Sequence, residues 1–358
     1  MAVQVAPKFG FLLPRELEAS EPPESRGLPR DAVRLMVSRR ASGDITHARF
    51  HDLPLFLNKG DVLVINTSGT RNAALRVRRA DGTGLTMHLS THLEEKAWTA
   101  ELRSVDSAGK SRHFEEAREG EVLGLPGGGS AILSGPYTSD CEPSATSSQT
   151  LWLAELDLPL PTDEYLALHG SPIQYNYLKR DWPLSYFQTV YATETGSAEM
   201  PSAGRPFTPE LLQRLKTAGI RIAPLILHAG ISNLDTHEPP TKEFFRLGDE
   251  TARLVNEGRA AGGRVIAVGT TAVRALETVA DTGGRTHAGE GWTCLVIAPG
   301  HKMRTVDGLL TGFHDPEATH LAILEALAGR SHIESTYQEA LEKRYLWHEF
   351  GDLHLILP

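Results

Sequence analysis

Residues 265–274 constrain the fold most strongly, because an apolar run passes through a single glycine directly into a helical pattern. Residues 265–268 are predicted to form a buried strand, and a helix is predicted to begin near Thr271. Gly269 would form the turn, where the missing side chain permits close approach of a ligand. A strand joined this tightly to a helix is typical of α/β proteins, in which the free amides of the helix start face a crevice at the end of the strand.

The same alternation of strands and helices continues through the second half of the chain. Thr208 is predicted to cap a helix that has Pro209 in its first turn and ends near Gly219. The further predicted helices are 249–261, 271–280, 317–328 and 335–344, and the predicted strands are 61–65, 220–227, 265–268 and 292–298. This pattern predicts a parallel or mixed sheet with covered faces.

The pattern of apolar and polar residues is different at residues 75–160. Short alternating runs at 75–79, 85–89 and 98–102 indicate antiparallel strands. The serine-rich stretch 134–150 is predicted to be a long loop. We therefore predict an α/β fold whose main, barrel-like domain comprises residues 1–74 and 161–358, with an inserted all-β, barrel-like domain at 75–160.

Composition narrows the class of protein. With 358 residues, the chain is long enough for two compact cores. Its formal net charge of -9 is unlike that of a dedicated nucleic-acid binder, although a local basic patch could still contact RNA. Its two cysteines, Cys141 and Cys294, form no CxxC motif and are expected to be reduced. No secretory or membrane-spanning run is found, so a cytoplasmic protein without membrane contact is expected. We also expect a monomer or a weak homo-oligomer.

Gly269, Thr270 and Thr271 form the most informative candidate site. Backbone amides and two hydroxyl groups there can bind a carboxylate or a phosphate, and Arg274 lies one turn further on. A capped helix with a surface arginine fits the same pattern, and the pattern alone does not separate these interpretations.

Two histidines are candidates for proton transfer: His228 follows the predicted strand 220–227, and His314 precedes the predicted helix 317–328. His228 and His314 can act as a general acid or base because the ordinary pKa of histidine is close to neutrality. Glu277 is a carboxylate candidate for the same work. With 15 histidines in the chain, a structural or exposed role is the alternative for either one. The chain has no GxxxxGK[ST], HExxH, GxSxG or clean GxGxxG motif, so ATPase, zinc protease, hydrolase and nicotinamide-enzyme functions lack their signatures.

The order of the motifs resembles one known family. The motifs are GDVLVIN at 60–66, FQTVYA at 187–192, PSAG at 201–204 with Phe207-Thr208, HAG at 228–230, and GTTAVR at 269–274 with Leu276-Glu277. Pro299-Gly300, Phe313-His314 and Gly351-Asp352 complete the series. They resemble the motifs of the S-adenosylmethionine:tRNA ribosyltransferase-isomerase family of queuosine biosynthesis, over most of the chain and least in the β insert.

That resemblance implies a reaction. Family members transfer and rearrange the ribosyl group of S-adenosylmethionine onto a 7-aminomethyl-7-deazaguanine base in tRNA and release adenine and methionine, without a metal. His228, His314 and Glu277 would be the candidates for proton transfer. The residues expected to bind S-adenosylmethionine are Gln188, Thr189, Tyr191, Pro201, Ser202, Ala203, Gly204, Phe207, Gly230, Gly269, Thr270, Thr271, Arg274, Pro299 and Gly300.

Several positions depart from the family pattern. Arg205-Pro206 replaces the Leu-His of the family's PTAGLHFT, and Ile231-Ser232 follows the HAG motif where the family has Leu-Gly. Two alternatives therefore stand beside tRNA modification. The chain can be a paralogue that uses a small-molecule acceptor or cleaves S-adenosylmethionine without tRNA, or it can be a non-catalytic S-adenosylmethionine-binding protein.

Overall fold

The computed structural model describes residues 9–139, 141, 147–231 and 241–358, and eighteen strands and six α-helices lie within them. Strands β1 to β6 are Arg34–Arg39, Ile45–Arg49, Val62–Asn66, Ser68–Thr70, Ala74–Arg78 and Gly84–Glu94. Strands β7 to β12 are Ala97–Val105, Ser111–His113, Val122–Gly124, Ser130–Thr138, Ser147–Asp157 and Glu194–Ser197. Strands β13 to β18 are Arg221–Leu227, Glu243–Leu247, Val265–Val268, Gly289–Thr293, Gly308–Gly312 and Leu353–Leu357. Helices α1 to α6 are Thr162–His169, Pro209–Thr217, Asp249–Ala260, Thr270–Val279, His320–Ala328 and Arg330–Glu342.

A nine-stranded mixed sheet forms the centre of the main body. Its order is β16-β14-β13-β3-β15-β17-β18-β1-β2. The four central strands β13, β3, β15 and β17 are mutually parallel. The α/β class predicted from the sequence is confirmed. The edge strands β16 and β2 are not paired with each other in the described part of the chain, so this sheet is open rather than closed into a barrel.

Alternation along the buried strands divides their side chains between two cores. In β3, Val62 and Val64 pack with helices α3 to α6 on one face. Leu63 and Ile65 pack with α2 on the opposite face. Because successive side chains of a strand point to opposite faces, one fully apolar strand can serve both cores. Helix α2 begins as predicted, since the Thr208 hydroxyl accepts a hydrogen bond from the Leu211 amide at 3.1 Å.

The second sheet is all-β and lies within the predicted insert. Its order is β11-β10-β9-β5-β6-β7-β8, and a further pairing of β7 with β11 closes six of these strands into a barrel. Alternate side chains of the strands, including Met87, Trp98 and Leu133, fill its interior. The antiparallel strands predicted from the alternating runs are confirmed.

Some sequence predictions were wrong in detail. Of the loop predicted at 134–150, residues 134–138 belong to β10 and 147–150 to β11, because polar strands still pair through their backbones; 140 and 142–146 lie outside the described residues. The strand predicted at 292–298 ends at Thr293, and beyond it the Leu295 carbonyl accepts a hydrogen bond from the Arg274 side chain instead of a neighbouring strand. The last predicted helix begins earlier, at Arg330, and the strands β1, β2 and β18 were not predicted.

The expectation of reduced cysteines was also wrong. Cys141 and Cys294 form a disulfide, with their Cα atoms 5.3 Å apart and their positions 153 apart in sequence. Cys141 lies between β10 and β11 of the barrel, and Cys294 follows β16 at the edge of the main sheet. The bond therefore fastens the barrel to the main body. No helix in the described segments is both long enough and apolar enough to cross a bilayer.

Candidate active site

The main cavity lies where the carboxyl ends of β13, β15 and β17 meet. Because these strands are parallel members of one sheet, the residues that follow them share one edge of it. Ala229 follows β13, Gly269 follows β15 and Gly312 ends β17, and all three line the cavity. It encloses about 150 Å³ and opens to solvent on one side.

The start of helix α4 forms one wall. Gly269 precedes the helix with a φ of 85°, a conformation that favours glycine, and Thr270 and Thr271 line the cavity. The Thr271 hydroxyl accepts a hydrogen bond from the Asn66 amide at 3.2 Å, and Asn66 itself is held by the backbone of Leu227. The first amides of a helix have no acceptor within it, so this wall is suited to an anion.

A second wall comes from the small-residue loop that leads to α2. Pro201, Ser202 and Ala203 line the cavity. Gly204 lies just behind them, where a Cβ atom would collide with the Tyr191 hydroxyl. The two motifs singled out in the sequence, at 201–204 and 269–271, therefore meet at one cavity although more than 60 residues separate them.

The remaining predicted cofactor residues lie elsewhere. Gln188 uses its side chain to bridge the backbone of Thr70, accepting from its amide at 3.0 Å and donating to its carbonyl at 2.6 Å. Phe207 packs edge-on against Phe50 in the core. The other predicted cofactor residues that do not line the cavity are Thr189, Tyr191, Gly204, Gly230, Pro299 and Gly300.

Arg274 has an internal partner. Its guanidinium pairs with the carboxylate of Glu243 and donates to the Leu295 carbonyl at 3.0 Å. Both Arg274 and Glu243 are buried, and neither lines the cavity. The sequence could not reveal this pairing, because Glu243 comes from β14, 31 residues away. Arg274 thus forms an internal ion pair, and its predicted contact with a ligand anion stays a prediction.

Glu277 is likewise occupied within the fold. Its carboxylate accepts hydrogen bonds from the backbone amides of Arg304, Thr305 and Val306 at 2.9, 3.0 and 3.2 Å. It lies outside the cavity, and its side chain is fully buried. Glu277 thus anchors the segment before β17, and its proton-transfer role stays a prediction.

The two candidate histidines are in different places. His314 lines the main cavity, where its Nε2 forms a hydrogen bond with the Thr311 hydroxyl at 2.9 Å and its ring stacks on His320 at 4.7 Å between centroids. Burial, and then the charge of His320, holds the pKa of His314 well below its ordinary value. His228 lines a neighbouring cavity, and its Nδ1 shares a hydrogen bond with the Ser68 hydroxyl at 2.8 Å.

Sequence reasoning missed a cluster of carboxylates and phenols in the main cavity. Tyr177 donates to Glu349 at 2.8 Å, and Tyr175 donates to Glu199. Burial and the nearby charge of Glu199 raise the pKa of Glu349 to about 8. Tyr175 and Tyr177 lie in a turn that is closed by a hydrogen bond from the Leu178 amide to the Tyr175 carbonyl at 3.1 Å, so strand alternation could not indicate them. No sequence pattern indicated Glu199 and Glu349 either, since these two residues lie 150 positions apart.

Comparison with known proteins identifies the group to which the chain is related. Residues 6–356 match the family described as "Queuosine biosynthesis protein". The chain belongs to this family. Among its relatives, the S-adenosylmethionine:tRNA ribosyltransferase-isomerase of Symbiobacterium thermophilum is 38% identical, and the alignment covers 98% of each chain. The enzyme of the same name from Pelotomaculum thermopropionicum is 36% identical over 98% of each chain.

A solved structure agrees with the family assignment. The crystal structure of S-adenosylmethionine tRNA ribosyltransferase from Thermotoga maritima is 30% identical, with a TM-score of 0.52, and the match covers 97% of this chain and 99% of that one. In this member of the queuosine biosynthesis family, the PSAG and GTT motifs supply two walls of one cavity. In the described segments no group of three or more His, Cys, Asp or Glu side chains is arranged to hold a metal ion.

Proposed function

We propose that this protein is an S-adenosylmethionine:tRNA ribosyltransferase-isomerase. It would transfer the ribosyl group of S-adenosylmethionine to the aminomethyl group of a 7-deazaguanine base in tRNA, rearrange that group, and release adenine and methionine. The observation that carries the proposal is the family match along almost the whole chain, together with the convergence of two family motifs on one cavity.

The main cavity has groups suited to each part of S-adenosylmethionine. The amides at the start of α4, with Thr270 and Thr271, would bind the methionine carboxylate. Glu199 and Asp315 would face the positive charges of the amine and the sulfonium. The cavity thus supplies both signs of charge that the zwitterionic tail and the sulfonium require.

Proton transfer would be divided between two residues with oppositely shifted pKa values. A lowered pKa keeps His314 neutral at pH 7, so its imidazole can accept the proton that the sulfonium makes acidic at C5′. A raised pKa keeps Glu349 protonated, so it can donate to adenine as that base departs. Divergent pKa values of neighbouring groups are what a paired acid and base require.

The three candidate functions differ in whether S-adenosylmethionine is cleaved and in whether its cleavage needs tRNA. The experiment measures adenine and methionine released from S-adenosylmethionine, with and without tRNA that carries 7-aminomethyl-7-deazaguanine. We expect release only with the modified tRNA. Release without tRNA would favour the paralogue that cleaves its substrate or uses a small acceptor, and binding without any release would favour the non-catalytic protein.

The location follows from the substrate. Because transfer RNA is modified in the cytoplasm of bacteria, we propose that the enzyme works there, as a monomer or weak homo-oligomer.

A further inference from the structure

A second cavity lies between the β-barrel and the main sheet, beside the first one. Its walls include Arg71 and Thr91 from the barrel side, and His228, Phe244 and Trp292 from the main sheet. The established motifs of the family account for only one of these side chains, His228.

Three contacting rings form an aromatic wall. The His228 ring lies over the Phe244 ring with centroids 5.5 Å apart and an angle of 23° between planes. Phe244 in turn meets Trp292 edge-on at 5.9 Å. Trp292 is 40% exposed, which is unusual for the largest apolar side chain. An exposed indole beside a cavity offers a flat surface on which a planar base can stack.

Buried polar atoms on the opposite wall lack partners. Arg71 is 9% exposed and donates through Nη2 to the Thr195 carbonyl at 3.2 Å, but its Nε has no hydrogen-bond partner in the described part of the chain. The Thr91 hydroxyl, on a residue 7% exposed, is also without one there. Leaving buried donors unsatisfied costs free energy, so a ligand with carbonyl or ring-nitrogen acceptors would be stabilised here.

The two cavities share their dividing wall. Gly196 lines the second cavity and Glu199 lines the first, while His228 lines the second and Ala229 the first. Three residues of extended chain span at most about 10 Å. The residues that line the two cavities therefore lie within about 10 Å of each other along these segments.

We propose that this second cavity binds the acceptor base of the RNA, a 7-deazaguanine turned out of its loop. The proposal rests on the proposed function and locates its second substrate. The base would stack on Trp292 and place its carbonyl oxygen and ring nitrogens against Arg71 and Thr91. Its aminomethyl group would then point past His228 towards the first cavity.

The test uses Trp292→Ala and Trp292→Phe in the full-length enzyme with an RNA stem-loop that contains 7-aminomethyl-7-deazaguanosine. Loss of one base–aromatic stack should raise the KM for this RNA about tenfold or more in Trp292→Ala, while Trp292→Phe retains most of the affinity. The Kd for S-adenosylmethionine should stay within about twofold, since Trp292 lies outside the first cavity. Val190→Ala is the matched control, because Val190 is 41% exposed and lines neither cavity.

A binding measurement separates this proposal from the proposed function. Affinities of the modified stem-loop and of one with guanosine at the same position are compared without S-adenosylmethionine. The cavity proposal predicts that the wild type prefers the modified base and that Trp292→Ala loses the preference. Equal loss of affinity for both RNAs, or an unchanged KM in Trp292→Ala, would overturn it. If the wild type shows the preference but releases no adenine, the proposed function fails and the binding site stands.

Discussion

Arg274 and Glu243 form a buried ion pair that ties helix α4 to strand β14. Arg274→Ala should lower the free energy of unfolding by about 3–5 kcal/mol, because it leaves a buried carboxylate without its counter-charge. The Kd for S-adenosylmethionine should change little in the folded fraction. Urea denaturation and calorimetric titration measure the two quantities.

Two further variants test whether the loss of stability comes from the unpaired buried charge. Arg253→Ala removes an exposed arginine paired with Glu257 at 3.0 Å and should cost no more than about 0.5 kcal/mol. The double variant Arg274→Met/Glu243→Leu removes both charges and should recover much of the stability that Arg274→Ala loses. A large loss of S-adenosylmethionine affinity in a stable Arg274→Ala protein would instead show that Arg274 contributes to binding S-adenosylmethionine.

Glu277→Gln should destabilise the protein without altering the chemistry. The glutamine amide would place a donor against backbone amides that now donate to a carboxylate, at a cost of about 1–3 kcal/mol. The rate of adenine release, measured well below the unfolding temperature, should match that of the wild type. A stable Glu277→Gln variant with a rate reduced a hundredfold would show that Glu277 takes part in the reaction.

Activity should fall as the pH rises through about 8. The raised pKa means that Glu349 keeps its proton below that pH and loses it above, so the general acid disappears on the alkaline side. The measurement is kcat/KM against pH for the wild type and for Glu349→Gln. The variant should be slower and should lack the portion of the alkaline decline that Glu349 causes. Identical alkaline profiles of the two enzymes would contradict the assignment.

His314→Asn should lower kcat by about 10²- to 10⁴-fold, the usual contribution of a general base. Because the variant keeps a polar side chain in the cavity, the Kd for S-adenosylmethionine should change much less than kcat. His51→Asn, at an exposed position outside the cavity, is the control and should keep wild-type rates. Wild-type kcat in His314→Asn would remove His314 from the mechanism.

Thiol counting should find no free cysteine in the purified, denatured protein unless a reductant is added. A crosslink across 153 residues should contribute about 5 kcal/mol of stability in the chain-entropy description, and reduction should lower the denaturation midpoint accordingly. The double variant Cys141→Ser/Cys294→Ser should show no response to reductant. Two reactive thiols in protein purified without reductant would contradict the bond, and they would fit the cytoplasmic expectation from the sequence.

The amino-acid pattern was sufficient for the local structure and for the family. Gly269 between an apolar run and a helical run, and Thr208 before Pro209, each predict an element from neighbouring residues, and both elements are found. The short alternating runs likewise predicted the antiparallel strands of the second sheet from neighbouring residues. Such signals succeed because strand alternation and helix capping depend on residues only a few positions apart.

Side-chain roles could not be derived in this way. Whether Arg274 meets a ligand or Glu243, and whether Glu277 transfers a proton or holds the backbone before β17, depends on partners brought close only by folding. The proximity of Glu199 to Glu349, 150 positions apart, and the disulfide between cysteines 153 positions apart likewise follow from the arrangement of sheet and barrel. The sequence pattern determined helices and strands, whereas the tertiary structure decided which charged side chains contact one another. The reason is that contacts between distant residues produce no periodic pattern in a single sequence.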